Sequence, residues 1–264
     1  MRVIVTRPAR EAARWTGDLR AAGFDAMPLP LIEIAPLRDP APVLAAWQCL
    51  PQYSALMFVS AAAVEHFFEP NKAAGPIERA QPAIDLIAFP CCWATGPGTA
   101  AALRAAGVPA ARIETPAAGA AQFDSEALWA VVGPQFQGGA SVLIVRGGDV
   151  DAKPTGRDWL ARHIEQAGGL CGTLVAYRRL LPTLDEAERH MAADAARPPA
   201  VWLFSSSEAV ANLRDALPGT SWRKARAVTT HPRIGSAARA AGFGTVVDAR
   251  PVLEAVVASI ESLR

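Results

Sequence analysis

The chain has 264 residues, room for two domains of ordinary size, and 51% of them are hydrophobic, enough for two buried cores. Its 26 basic and 25 acidic residues are interspersed and leave a net charge of +1, so no basic stripe points to nucleic acid. No run approaches the ~20 apolar residues that span a bilayer, and the apolar run after Met1 is too short for a signal peptide; the expectation is a cytoplasmic protein with no nucleic-acid or membrane partner.

In chain order, apolar strands alternate with alanine-rich helices. The spacing predicts strand Val3–Thr6, helix Ala9–Ala22, strand Ala26–Ile34, strand Leu56–Ser60, helix Ala61–Phe68 and strand Leu86–Thr95. There follow helix Thr99–Ala106, strand Arg112–Thr115, helix Ser125–Val132, strand Val142–Arg146, helix Arg157–Ala167 and strand Gly172–Tyr177. The last third reads as strand Val201–Ser205, helix Glu208–Ala216, strand Arg226–Thr230, helix Ile234–Ala241 and strand Thr245–Val247. Continuous rather than alternating apolar strands indicate parallel sheets covered on both faces, so the fold class is α/β of the doubly wound type.

A long internal repeat runs through this pattern. Arg2–Arg7 returns as Ser141–Arg146, each a buried-strand run ending in arginine, and each copy then reaches a tryptophan (Trp15, Trp159) and an Ala-Gly pair (Ala22-Gly23, Ala167-Gly168). Phe58-x-Ser60-x-x-Ala63-Val64 is echoed by Phe204-x-Ser206-x-x-Ala209-Val210, and Thr95-x-Pro97 by Thr230-x-Pro232. Two long copies imply two similar domains, and a cleft between domains is a usual place for small-molecule chemistry. Proline-rich crossings run from Pro28 to Pro42 and from Pro182 to Pro199, entered by the long apolar strands Ala26–Leu37 and Leu174–Leu181. They read as a two-stranded hinge or as plain surface loops.

The chemistry-bearing residues are sparse. Cys49, Cys91, Cys92 and Cys171 show no metal spacing and read as small core residues. His66, His163, His190 and His231 are scattered, so no metal site is expected. Gly96-Pro97-Gly98-Thr99-Ala100-Ala101 satisfies a G-x-G-x-x-A pattern, with Glu114 at a suitable distance, which alone suggests a dinucleotide fold; the matching second-copy turn has no glycine pair. Several strand-to-helix turns carry hydroxyls or arginine: Thr6-Arg7, Ser60, Thr95 with Thr99, Arg146-Gly147, Ser205-Ser206-Ser207 and Thr229-Thr230. Singly, each hydroxyl is an ordinary helix cap. Six together at the ligand-facing edge of α/β sheets suit an anionic, carboxylate-bearing ligand. Tyr177, one of two tyrosines, ends an apolar strand entering the second crossing.

In order and spacing, these pieces resemble the uroporphyrinogen-III synthase (HemD) family over essentially the whole chain. The resemblance rests on Val5-Thr6-Arg7-Pro8, Phe58-Val59-Ser60-x-x-Ala63-Val64, Gly96-x-x-Thr99-Ala100, Asp124-Ser125-Glu126-x-Leu128, Val145-Arg146-Gly147, Val175-x-Tyr177 and Phe204-Ser205-x-Ser207. It implies two HemD-like (flavodoxin-like) parallel-sheet α/β domains, 1–34 plus 182–264 and 38–174, joined by a two-stranded linker at about 31–38 and 173–183. It implies no cofactor, a monomer, and hydroxymethylbilane as substrate. That linear tetrapyrrole carboxylate would lose its terminal hydroxyl to give an azafulvene cation. Attack by the substituted carbon of ring D, through a spiro intermediate, would then invert that ring in tetrapyrrole (haem) biosynthesis.

The resemblance further implies that Tyr177 assists hydroxyl departure. Ser60, Thr99 and Ser205 match its cleft hydroxyls, and Thr6, Arg7, Arg146 and Gly147 match turns facing acetate and propionate groups. Gly96 and Ser206 belong to the same turns. Where many members carry Pro-Thr-Thr, this chain has Pro232-Arg233-Ile234, which offers Arg233 as a carboxylate ligand in place of hydroxyls. Two readings from other classes remain at this point: a dinucleotide-binding oxidoreductase using the Gly96-x-Gly98 turn, and a non-catalytic two-lobed binder of anionic ligands.

Overall fold

A computed structural model describes residues 1–73 and 89–264, except for the side chains of residues 70–73. The element order begins β1 (Arg2–Val5), α1 (Ala9–Ala21), β2 (Asp25–Pro28), β3 (Glu33–Pro36), α2 (Ala41–Gln48), β4 (Ala55–Phe58), α3 (Ala61–Ala73) and β5 (Cys91–Ala94). It continues α4 (Pro97–Ala105), β6 (Ile113–Glu114), α5 (Ser125–Val132), β7 (Ser141–Gly148), α6 (Trp159–Gln166) and β8 (Leu170–Leu180). It ends α7 (Glu186–Asp194), β9 (Val201–Phe204), α8 (Ser207–Ala216), β10 (Arg226–Thr229), α9 (Pro232–Ala240), β11 (Thr245–Asp248) and α10 (Leu253–Glu261).

The protein is α/β, and its chain forms two compact units: Met1–Glu33 with Leu180–Arg264, and Ile34–Arg179. In the first, five strands lie in the order β11-β10-β9-β1-β2, every neighbouring pair parallel. In the second, six strands lie in the order β3-β8-β7-β4-β5-β6, with the pairs from β8 to β6 parallel. The strand pair that opens each repeat copy, β1/β2 or β7/β8, sits beside the three strands that close the other copy, β9–β11 or β4–β6. Each sheet is therefore assembled from halves of both copies.

Parallel strands need both faces covered, and both sheets comply. In the first unit, Val3, Val5, Leu203 and Val228 pack against Trp15 and Leu19 of α1 and Val256 and Ile260 of α10. A ring cluster of Trp202, Phe204, Trp222 and Phe243 forms beside them. In the second, Leu56, Phe58, Leu143, Val145 and Leu174 face α2, α3 and α4. Ala55, Met57, Val142 and Ile144 face α5 and α6. The first of these cores is anchored by Trp47, whose ring stacks on Phe67 at 5.0 Å and whose indole N–H donates to the Phe67 carbonyl at 2.7 Å.

The expected strand Ala26–Ile34 is two strands: β2 closes the first sheet and β3 belongs to the second. Pro28 and Pro30 lack the N–H groups a continuous ladder needs, and break it there. Helices α2, α7 and α10 add to those expected. For α7 the signal is local, since Asp185 caps the Glu188 N–H while the Glu188 carboxylate accepts from the Asp185 N–H, a capping box. The expected strand Leu86–Thr95 appears as β5; its residues 86–88 lie outside the described residues. Among the described residues no helix is long and apolar enough to cross a membrane.

Candidate active site

One irregularity in the second sheet builds a polar cluster. Strands β7 and β8 pair in register from Ser141↔Leu170 to Arg146↔Val175, and pairing resumes at Gly147↔Tyr177. Ala176 is thus an extra residue, a β-bulge, which resets the alternation of side chains along a strand. Leu174 and Ala176 already face the α3 side; without the bulge Tyr177 would face the opposite side. With it, Tyr177 joins the same core and is 1% exposed.

Three residues hold its ring. Gly147 has no side chain where one would intrude, since a Cβ there would stand 2.7 Å from Tyr177 Cε2 and Cζ. His66 of α3 lies across the ring, with centroids 5.7 Å apart and 25° between planes. Ser60, between β4 and α3, has its Oγ 3.1 Å from the Tyr177 hydroxyl. That Oγ also accepts the Ala63 N–H at 3.1 Å, as a helix cap does. One Ser60 lone pair is therefore occupied, which leaves its O–H to donate to the Tyr177 oxygen or its second lone pair to accept the Tyr177 O–H.

The neighbouring turn is tied inward. Arg146, paired with Val175 on the other face, is 7% exposed; its Nη1 donates to Asp158 Oδ1 at 3.1 Å and its Nη2 to the Arg157 carbonyl at 3.2 Å. Gly156, at φ +103°, lets the loop close over that guanidinium, for a Cβ there would lie within 2.4 Å of Nη2. Arg157 in turn grips Glu126 with both nitrogens, the Nη2–Oε2 distance being 2.7 Å, and this bond raises its pKa.

The first unit shows the same pattern in different residues. Thr6 is buried and its hydroxyl donates to the Leu203 carbonyl at 2.8 Å, locking β1 to β9. Arg7 donates to Glu11 at 2.9 Å and lies 4.6 Å over the Trp15 ring. Burial pulls its pKa down while Glu11 pushes it up. Ser206 caps α8 through the Glu208 N–H, at 3.2 Å, and Ser205 is half-buried beside it. Arg233 is exposed in the first turn of α9, its N–H and Nε directed to His231 Nδ1.

At the end of β5, Gly96 caps α4 with Phe123 packed against it; a Cβ at Gly96 would lie 2.9 Å from Phe123 Cβ. Thr99 is buried one turn on, and Thr95 Oγ1 donates to the Val59 carbonyl at 3.3 Å. The structure thus gathers Ser60, Gly147 and Tyr177 into one contact group, with Gly96, Thr99 and Arg146 at the same sheet edge. Thr6, Arg7, Ser205, Ser206 and Arg233 lie at the corresponding edge of the other sheet. Sequence reasoning missed His66; its signal was the repeat, in which it stands six residues after the capping serine. Among the described residues, no group of three or more His, Cys, Asp or Glu could hold a metal ion.

Known proteins resemble this chain as follows. A uroporphyrinogen-III synthase of Chlorobaculum parvum is 26% identical over 189 residues, 71% of this chain and 67% of that protein. The crystal structure of a mutant uroporphyrinogen III synthase from Thermus thermophilus superposes with a TM-score of 0.58 at 18% identity, covering 100% of this chain and 98% of that one. That of uroporphyrinogen-III synthetase from Helicobacter pylori gives 0.59 at 20% identity and covers all of both chains. At such identities the two structures speak for the fold. The dinucleotide reading of the Gly96–Ala101 turn is not favoured, because that turn lies inside the segment that the model of another family matches. The family model for uroporphyrinogen-III synthase HemD matches residues 13–258, and the chain belongs to that family.

Proposed function

We propose that this chain is a uroporphyrinogen-III synthase, a hydro-lyase that closes hydroxymethylbilane with loss of water and inversion of ring D. The observation that carries this reading is the family match, continuous from residue 13 to residue 258. The geometry that supports its chemistry is the Ser60–Tyr177 pair.

In this reading the Tyr177 hydroxyl gives its proton to the terminal hydroxyl of the substrate, which leaves as water. The positive charge stays on the pyrrole as an azafulvene cation. Ser60 donates its O–H to the phenolate oxygen, its own lone pair being already engaged by the Ala63 N–H. Attack by the substituted carbon of ring D gives the spiro intermediate, whose cleavage and re-closure invert the ring. The proton shed from ring D on final closure returns to Tyr177, so the net release is water. A phenol is a weak acid at neutral pH. It suffices because the pyrrole nitrogen itself expels the hydroxyl, and most of the work is holding the chain folded.

Acetate and propionate groups are bound by helix N-termini and hydroxyls at the strand ends: Gly96 and Thr99 on α4, Ser205 and Ser206 on α8, with Thr6 and Gly147 in the adjoining turns. The guanidiniums of Arg7 and Arg146 are engaged by Glu11 and Asp158 and act mainly by shaping those turns. Arg233, exposed on α9, contacts a carboxylate directly. The enzyme works in the cytoplasm as a monomer, without metal or organic cofactor. The test is the isomer ratio formed from freshly made hydroxymethylbilane. Isomer III formed faster than the spontaneous closure supports the reading; isomer I alone at the spontaneous rate overturns it. Tight binding of the tetrapyrrole without turnover would instead indicate a non-catalytic binder.

A further inference from the structure

The duplication gives one helix position the same task in both units. Six residues beyond the capping serine, Ser60 or Ser206, stands His66 on α3 or Asn212 on α8. Each reaches the outgoing end of the strand pair that opens a repeat copy. Asn212 does so as a fastening: its Nδ2 donates to the Leu31 carbonyl at 2.7 Å. His66 instead meets a side chain, stacking its imidazole on the Tyr177 ring. The imidazole is itself held, with Nδ1 3.5 Å from Glu69 Oε2 on the same helix and its side chain 17% exposed. It also forms one wall of an open cavity of about 260 Å³, whose other walls include Pro36, Leu37, Val43 and Ala176. Glu69 thus stands at one edge of the imidazole while the phenol lies against its face, and Gly147 leaves the room that the phenol ring needs.

We propose that His66 is a positioning residue for Tyr177: it acts through the phenol, fixing the ring so that its hydroxyl stays on Ser60. The inference rests on the reading of Tyr177 as the group that assists hydroxyl departure. A second flat ring registers the plane of the first, and an aromatic pair supplies that at little cost in side-chain freedom. An aliphatic side chain of equal volume fills the space without setting the ring plane.

The chain has two tyrosines, Tyr53 and Tyr177, so ring-labelled tyrosine in a Tyr53→Phe background gives a single NMR signal. In that background His66→Ala is expected to shift and broaden the Tyr177 signal. It should also lower kcat about tenfold to a hundredfold with KM little changed, the cost of a reacting group misplaced by an ångström or less. His66→Phe, which keeps a flat ring, should restore both the signal and most of kcat. Should His66→Ala not fold, His66→Asn, the side chain used in the other unit, serves as the second variant with the same expectation. A Tyr177 signal and kcat unchanged in His66→Ala or His66→Asn overturn the proposal, as does failure of His66→Phe to rescue a folded protein. If Tyr177→Phe turns over at the wild-type rate, the underlying reading of Tyr177 fails instead, and that result is seen in a different variant.

Discussion

The strand pairs β1/β2 and β7/β8 hold the same place in their two sheets, yet they end differently. After β1 the chain runs Thr6-Arg7-Pro8 straight into α1, and β2 stops at Pro28 after four residues. β7 itself runs on through Arg146-Gly147-Gly148 before its loop, and the eleven-residue β8 carries a bulge that turns Tyr177 inward. The arginine is kept in both and is spent in both on a nearby carboxylate, Glu11 or Asp158. The duplicated arginine is therefore scaffold. In the proposed mechanism, the difference between the pairs, a glycine, a bulge and a tyrosine, is where the second unit acquires its proton donor.

If that is so, the largest effect should come from filling the space that Gly147 leaves empty. Gly147→Val would drive its side chain into the Tyr177 ring. Turnover should fall about a hundredfold, and denaturant unfolding should show a loss of about 1–3 kcal/mol from overpacking. Next in size is Arg146→Ala. It removes a buried guanidinium that ties β7 to Asp158 and the Arg157 carbonyl, and should cost about 1–3 kcal/mol by the same measurement. If its KM rises a hundredfold while stability is unchanged, Arg146 is a direct carboxylate ligand and the view of it as scaffold is wrong.

The smallest expected effect concerns pH. Burial, with the neighbouring Cys91, pushes the Cys92 thiol far above its ordinary range, while the unfolded thiol ionises near pH 8.5. The native state then holds the proton longer, so this stabilisation is complete below pH 8.5 and is lost as pH rises. The loss is at most about 1.4 kcal/mol per pH unit. Melting curves between pH 8 and pH 10 should show stability falling toward that slope, and Cys92→Ala should make the fall shallower. The Cys171 thiol, raised to about 11 chiefly by burial, contributes in the same direction.

Much of this was legible in the sequence because the strands of parallel sheets are apolar throughout and the turns carry their capping residues. The repeat was legible too, down to the serines that cap α3 and α8. What sequence could not supply was the bulge, since Val175, Ala176 and Tyr177 look like ordinary alternation until β7 is set beside them. Nor could it show that Thr6, Arg7 and Arg146 are internally engaged, because a guanidinium facing a ligand and one facing Glu11 or Asp158 have the same local pattern. His66 reads in the sequence as one of four scattered histidines; its place in the repeat and its contact with Tyr177 separate it from the others.

The most direct test of the central claim is the rate of isomer III formation by Tyr177→Phe at saturating hydroxymethylbilane, on protein whose melting curve matches the wild type. The phenyl ring keeps the stack on His66 and the fit over Gly147 and loses only the hydroxyl on Ser60. The account predicts a fall of about a hundredfold, the usual worth of a positioned proton donor. A wild-type rate would contradict it.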